Sequence, residues 1–302
     1  MKKISYPTAV TIGIFDGVHK GHQKILQKVL YEAWKNRLKS VVVTFDPHPV
    51  KVLQHGAQIP LLISLDHRIR LIKKMGMDYC LVKKFTKEFS KLCPEEFIKD
   101  ILADKLNLKV LVTGENFLFG FKEKGCSKLL KKLSRIYNFK YCSIPPLKIE
   151  GEYVSSTRIR KLIEKGRLEL AEKLLGRPVT ILGTVVKGKS LGRELGFPTA
   201  NIDPHHESIP PAGVYSVDVA MGKKIYRGAL NISLHKIVEV YILNFNKDIY
   251  GRDIEVIFKQ KIRNEKKFKT LEALQRQISL DIQQANDGSP TPIIPIIHLN
   301  LL

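Results

Sequence analysis

Short apolar runs alternate with helix-period segments over the first half of this sequence, and near Thr180 that alternation stops. TAVTIGIF at 8–15, SVVVTF at 40–45, CLV at 80–82 and VLVT at 110–113 read as strands, and 22–38 reads as a helix following the first of them. Parallel strands need a crossover to return to the same edge of the sheet, and a helix supplies it. The first half is therefore expected to be α/β, an open doubly wound parallel sheet with all of the named strands buried.

Beyond Thr180 the runs TILGTVV, GVYSVDVA, VEVYILNF and IEVIF are separated by glycine, proline or asparagine turns, the texture of a small antiparallel barrel or sandwich. A terminal helix is expected near 270–285, with Leu271, Leu274, Ile278 and Ile282 on its apolar face. Residues 156–175 read as two short helices and GRP at 176–178 as a linker. The expected division is 1–176, 177–287 and an irregular tail, 288–302, interrupted by prolines. A chain of 302 residues is long enough for two cores.

Two lysines lead directly into the first strand without a signal-peptide pattern, and no apolar run reaches the roughly 18 residues of a membrane span. A cytoplasmic location with no membrane partner is expected. Cys80, Cys93, Cys126 and Cys142 are scattered, without metal-ligand spacing, and read as reduced structural thiols. The excess of 51 Lys+Arg over 29 Asp+Glu gives a formal charge of +22, which favours polyanions. The basic residues are dispersed (Lys83 and Lys84; Lys128, Lys131 and Lys132; Lys266 and Lys267) rather than interleaved with aromatics, so no specific nucleic-acid partner is expected.

GIFDGVHKGHQ at 13–23 lies where a strand ends and a helix begins, the place where α/β sheets present amides to anions. Gly13, Gly17 and Gly21 allow close backbone approach to a phosphate. His19 and His22, three apart on the incipient helix, can donate to phosphate oxygens as a pyrophosphate leaving group gains charge. Two such histidines also suit an ordinary capped surface helix; the strand, the glycine spacing and Asp16 set this pair apart. With that context the segment resembles the HxGH nucleotidyltransferase superfamily, and GxFDGVHxGHQ is similar to its flavin branch.

TFDPHP at 44–49 resembles the same branch, as does TGENFLFG at 113–120, where Thr113 replaces the usual valine, and SSTRIR at 155–160. The resemblance implies ATP binding at Gly13, Phe15, Asp16, Gly21, Ser155, Ser156 and Thr157, catalysis by His19, His22 and Arg158, and a flavin pocket lined by Asn116, Phe117 and Phe119.

GTVVKGKSLGRELGFPTANI at 183–202 carries Gly183, Gly188, Gly192 and Gly196 and ends in PTAN. Glycine-rich connections can wrap a nucleotide phosphate, and on an extended chain Thr199 and Asn201 point to one side, offering two neutral oxygens to a hard cation. PTAN alone would equally serve as a turn into a strand. The whole run resembles the bacterial riboflavin kinase domain, and so do IPPAGVYSV at 209–217, VEVYILNFNKDIYG at 238–251 and IRNEKKFKTLEALQRQISLD at 262–281. The resemblance implies a barrel with ATP at those glycines, Mg²⁺ at Thr199 and Asn201, Glu239 as catalytic base, and Arg263, Glu265 and Phe268 closing over flavin.

In order and coverage the motifs resemble the bacterial bifunctional riboflavin kinase/FAD synthetase family, which makes FMN from riboflavin and FAD from FMN with ATP and Mg²⁺. One departure stands out. NISLHKIVEV at 231–240 lacks the family's glycine and RPTF-type loop, and Asn244 replaces an aspartate. The alternative reading is an FMN adenylyltransferase whose barrel only binds flavin. A third is a basic nucleic-acid-binding protein on the same scaffold. The sequence leaves the oligomeric state open.

Overall fold

The computed structural model describes residues 4–54, 60–188, 192, 196–205 and 207–287. The irregular tail expected at 288–302, and positions 189–191 and 193–195 of the glycine-rich connection, lie outside the described residues. The chain divides into two compact units, Met1–Ile59 with Leu65–Ser156, and Pro60–Ser64 with Thr157–Leu302.

In the first unit β1 (Thr8–Ile12), β2 (Lys39–Asp46), β3 (Tyr79–Lys84), β4 (Leu108–Gly114) and β5 (Lys140–Ile144) form a parallel sheet in the order β3-β2-β1-β4-β5. The helices of this unit include α1 (Lys20–Lys35), α2 (Pro49–Leu53), α3 (Leu65–Lys74) and α4 (Ser127–Ile136), a helical stretch through Pro94–Glu96, Phe97–Ala103 and Asp104–Leu106 crosses from β3 to β4, and Lys148–Ile149 (β6) pairs with Glu152–Tyr153 (β7). The strand order reverses between β1 and β4, so a crevice is expected at their carboxyl ends. GIFDGVHKGHQ follows β1 and TGENFLFG spans the end of β4, which brings the two motifs to that one edge. β1 is buried throughout, as a central strand should be. CLV at 80–82, expected to be buried, is half-exposed with Val82 at 39%, because β3 is the edge strand and lacks a neighbour on one side.

In the second unit α5 (Ser156–Glu164, whose first residue closes the first unit) and α6 (Leu168–Leu175) precede a closed barrel. Its strands are β8 (Thr180–Val186), β9 (Thr199–Asp203), β10 (Gly213–Met221), β11 (Lys224–Ile232), β12 (Val238–Ile242) and β13 (Asp253–Arg263), in the order β10-β11-β12-β9-β8-β13. Closure removes unpaired edges. Strand β11 had no counterpart in the sequence reading: its first residues, Lys224 and Ile225, are exposed and its alternation is diluted by Arg227 and Gly228.

The terminal helix α7 spans Leu271–Asp287. Its expected apolar face is only partly used: Leu274, Ile278 and Ile282 are half-buried, whereas Leu271 is 58% exposed and Asp281 is buried. The reason is polar. Asp281 accepts from Arg263 Nε (3.0 Å) and Nη2 (2.7 Å), and this pair rotates the helix so that Asp281 and Ala285 face inward.

The segment Pro60–Ser64 belongs to the barrel unit although it lies within the first half of the chain. Glu207 is buried and its carboxylate accepts from Ser64 N (2.6 Å) and Leu182 N (3.0 Å), while Ser208 N donates to Leu61 O (2.6 Å).

Candidate functional site

The turn after β1 is built around left-handed backbone. Phe15 (φ 54°), Gly17 (φ 82°) and Val18 (φ 39°) all have positive φ, a strained choice for the two non-glycine residues and a common one at ligand-binding turns. The Phe15 ring is 2% exposed and packs under Gly13, where a Cβ would lie 3.1 Å from Cε2. Asp16 is buried and its carbonyl accepts from Ser156 Oγ (2.8 Å), which ties the third motif to the first.

His19 caps α1: its Nδ1 accepts from His22 N at 3.3 Å. The two imidazoles stack with centroids 3.6 Å apart and planes 14° from parallel, and Phe15 meets His22 edge-on at 5.2 Å. A Cβ at Gly21 would lie 3.2 Å from the His19 ring, a tight contact that glycine avoids. Burial holds the His22 pKa well below its ordinary 6.5, and His19 and Arg68 push it the same way, so the ring is neutral near pH 7. His22 Nδ1 is buried and takes no hydrogen bond from any described residue, a condition that a polar ligand would relieve.

Arg68 on α3 escaped the sequence reading. It is 4% exposed and donates to Ile14 O (2.5 Å) and Phe45 O (3.2 Å), joining the turn after β1 to the end of β2. Burial depresses its pKa, while Asp16 and Asp46 act in the opposite sense. No local motif marks an arginine whose partners are backbone carbonyls distant in sequence.

The flavin-pocket candidates of TGENFLFG separate. Asn116 is exposed and Phe117 half-buried, both accessible to a ligand, whereas Phe119 is buried in the core against Phe97 (5.9 Å) and stacks on Phe117 (5.4 Å, 9°). Ser155 lies in the first unit; Thr157 and Arg158 belong to the second, at the start of α5.

In the barrel, one register row crosses every strand. Val186 pairs with Asn201, Asn201 with Glu239, Glu239 with Asn231, Asn231 with Val214, and Val214 with Arg263. Val238, Val240 and Ile202, which alternate with these residues, are buried in the barrel, so Asn201 and Glu239 share the opposite, half-buried face. Thr199 and Asn201 lie on that face two residues apart, as anticipated.

Two glycines of the connection approach it closely. A Cβ at Gly188 would overlap the Asn201 carboxamide, and one at Gly192 would lie 2.9 Å from Thr199 Oγ1. Gly183 lies inside β8, where its missing side chain accommodates Ile202 and the Asp203 carbonyl, and Gly196 (φ 84°) makes a turn in open space. Two oxygen donors under glycine backbone suit a hard cation and the phosphates it accompanies. Among the described residues, no three His, Cys, Asp or Glu side chains gather as a metal-holding group.

The shortened loop is a compact turn. Ser233 N donates to Ile237 O (3.0 Å) and Lys236 N to Ser233 O (2.8 Å), so β11 and β12 stay paired from Ile232↔Val238 onward and Glu239 keeps its register. Glu265 accepts from Leu234 N at 3.0 Å. Arg263 is committed to Asp281, and its guanidinium lies 5.7 Å from the Phe268 ring.

The chain matches the FAD synthetase family over residues 1–158 and the riboflavin kinase family over residues 175–288. A bifunctional riboflavin kinase/FMN adenylyltransferase from Buchnera aphidicola subsp. Schizaphis graminum is 40% identical over 294 residues, 94% of each chain. The Escherichia coli (strain K12) protein of the same description is 38% identical over 280 residues, 90% of each chain. A crystal structure from Streptococcus pneumoniae, described as a macrolide-efflux protein, aligns with a TM-score of 0.79 at 30% identity over 96% of this chain and 98% of that one. The two family matches fall one on each half of the chain, the relatives match along nearly their whole length, and the chain belongs to the bifunctional riboflavin kinase/FMN adenylyltransferase family.

Proposed function

We propose that this protein phosphorylates riboflavin to FMN on the barrel and adenylylates FMN to FAD on the parallel-sheet unit, using ATP for both steps. The observation that carries the reading is the barrel row, which keeps Glu239 opposite Asn201 despite the shortened turn. It favours the full bifunctional enzyme over an adenylyltransferase with a flavin-binding barrel. We place the working boundary at 176/177 and the enzyme in the cytoplasm; among the described residues no helix is long and apolar enough to cross a membrane.

In the kinase step Glu239 orients the riboflavin 5′-hydroxyl and accepts its proton as the hydroxyl oxygen attacks the γ-phosphorus of ATP and ADP departs. Thr199 and Asn201 would hold Mg²⁺ together with the nucleotide phosphates, and the ion would supply charge neutralisation there. Gly188 and Gly192 bring bare backbone against those two side chains, where its amides can face the phosphates that the ion accompanies. Arg263 and Phe268 border the flavin end.

In the adenylyl step an FMN phosphate oxygen attacks the α-phosphorus of ATP and pyrophosphate leaves. His19, His22 and Arg158 stabilise the developing charge, the α1 N-terminus adds its dipole, and no protein nucleophile is needed. Gly13, Phe15, Asp16, Gly21, Ser155, Ser156 and Thr157 shape the ATP side. Asn116 and Phe117 contact flavin, with Phe119 supporting Phe117 from the core.

The test is chromatography of purified protein with ATP and Mg²⁺, given riboflavin or FMN. FMN and FAD from riboflavin are expected; FAD only from added FMN would establish the alternative, and no conversion would refute both.

A further inference from the structure

We propose that Asn231, which no motif singles out as a site residue, positions the Glu239 carboxylate for the kinase step. The inference rests on the reading of Glu239 as the base. In the ladder Glu239 has two direct neighbours, Asn201 on β9 and Asn231 on β11. Directly opposed residues of antiparallel strands have Cβ atoms about 4.5–5.5 Å apart, within reach of a carboxamide N–H for a carboxylate oxygen. Leu230 and Ile232, on either side of Asn231, are buried in the barrel, so Asn231 shares the half-buried outer face with Glu239.

The two asparagines divide the work by chemistry. Asn201 packs against Gly188, and its carboxamide oxygen is the atom a cation would use. Asn231 lies on the other flank, one strand closer to Arg263, and its NH₂ is the useful group. A donor held to one carboxylate oxygen fixes the rotation of Glu239 and leaves the second oxygen for the substrate hydroxyl. Asparagine is also a poor strand former, so its place in the middle of this ladder is not accounted for by backbone preference.

The experiment uses the full-length protein with riboflavin, ATP and Mg²⁺. Asn231→Ala should lower kcat for riboflavin phosphorylation about tenfold or more while KM for riboflavin and ATP stays within about twofold, the signature of an interaction made in the transition state. FAD formation from FMN and Tm should hold. In a Glu239→Gln background the same change should have no more than about a twofold effect, because a residue that acts through Glu239 has nothing left to position. Asn231→Val, a strong strand former with no donor, is a second variant if alanine compromises folding, and the same kcat loss is expected. Unchanged kcat, or a loss that multiplies fully with Glu239→Gln, overturns the proposal alone. Parallel falls in Tm and in both activities overturn it in favour of a structural role. Full kinase activity in Glu239→Gln by itself removes the underlying base assignment, and the proposal with it.

Discussion

Asn201 on β9 and Glu239 on β12 are direct partners in the antiparallel ladder, which places the proposed metal ligand and the proposed base side by side on one face of the barrel. Glu239→Gln keeps the shape and removes the proton acceptor. Riboflavin phosphorylation should fall by about 10²–10⁴-fold. FAD formation from supplied FMN should persist, and an assay of the two half-reactions on one preparation checks both statements.

His22 stacks on His19 at the start of α1. His22→Ala removes the proposed donor to the leaving group, and FAD formation from FMN should drop by about 10²–10³-fold. Riboflavin phosphorylation serves as the internal control. Equal loss of both activities would contradict separate sites.

The depressed pKa of His22 has a signed consequence for stability. The unfolded chain binds a proton near the ordinary value of 6.5 that the folded protein resists, so the unfolded state holds more protons as pH falls below that value. Stability linked to His22 is therefore complete above about pH 6.5 and is lost as pH drops towards the folded pKa. Tm measured across this range should fall more steeply in the wild type than in His22→Asn. Superimposable curves would count against the linkage.

Gly188 leaves no room for a side chain beside Asn201. Gly188→Ala should displace either the connection or the carboxamide, raising KM for ATP in the kinase step about tenfold or more if one charge-assisted phosphate or cation contact is lost. Adenylyl transfer should be unaffected. Normal ATP dependence in the kinase assay would show that the connection does not approach phosphate.

The Arg263–Asp281 pair joins β13 to α7, with Asp281 buried. Asp281→Ala leaves a guanidinium without its partner and should destabilise the barrel unit by about 3–5 kcal/mol, less to the extent that water reaches Arg263. Urea unfolding monitored by circular dichroism would measure it. A change under about 1 kcal/mol would place the pair among solvent-screened surface bridges.

The sequence by itself determined the parallel sheet, the antiparallel second half and the location of both motif sets. Each is a local pattern: period two or 3.6 in apolar residues, glycines at a strand end, PTAN entering a strand. His19 capping α1 and the shared side of Thr199 and Asn201 were legible for the same reason, since both follow from spacing along one element. The tertiary structure alone decided the rest. It made β3 an edge, closed the barrel, turned Asp281 inward, drew Pro60–Ser64 to Glu207, and set Arg68 on two carbonyls. It also put Glu239 between two asparagines. Register and burial are properties of paired strands, and residues far apart in sequence meet only after closure fixes which neighbours each strand will have.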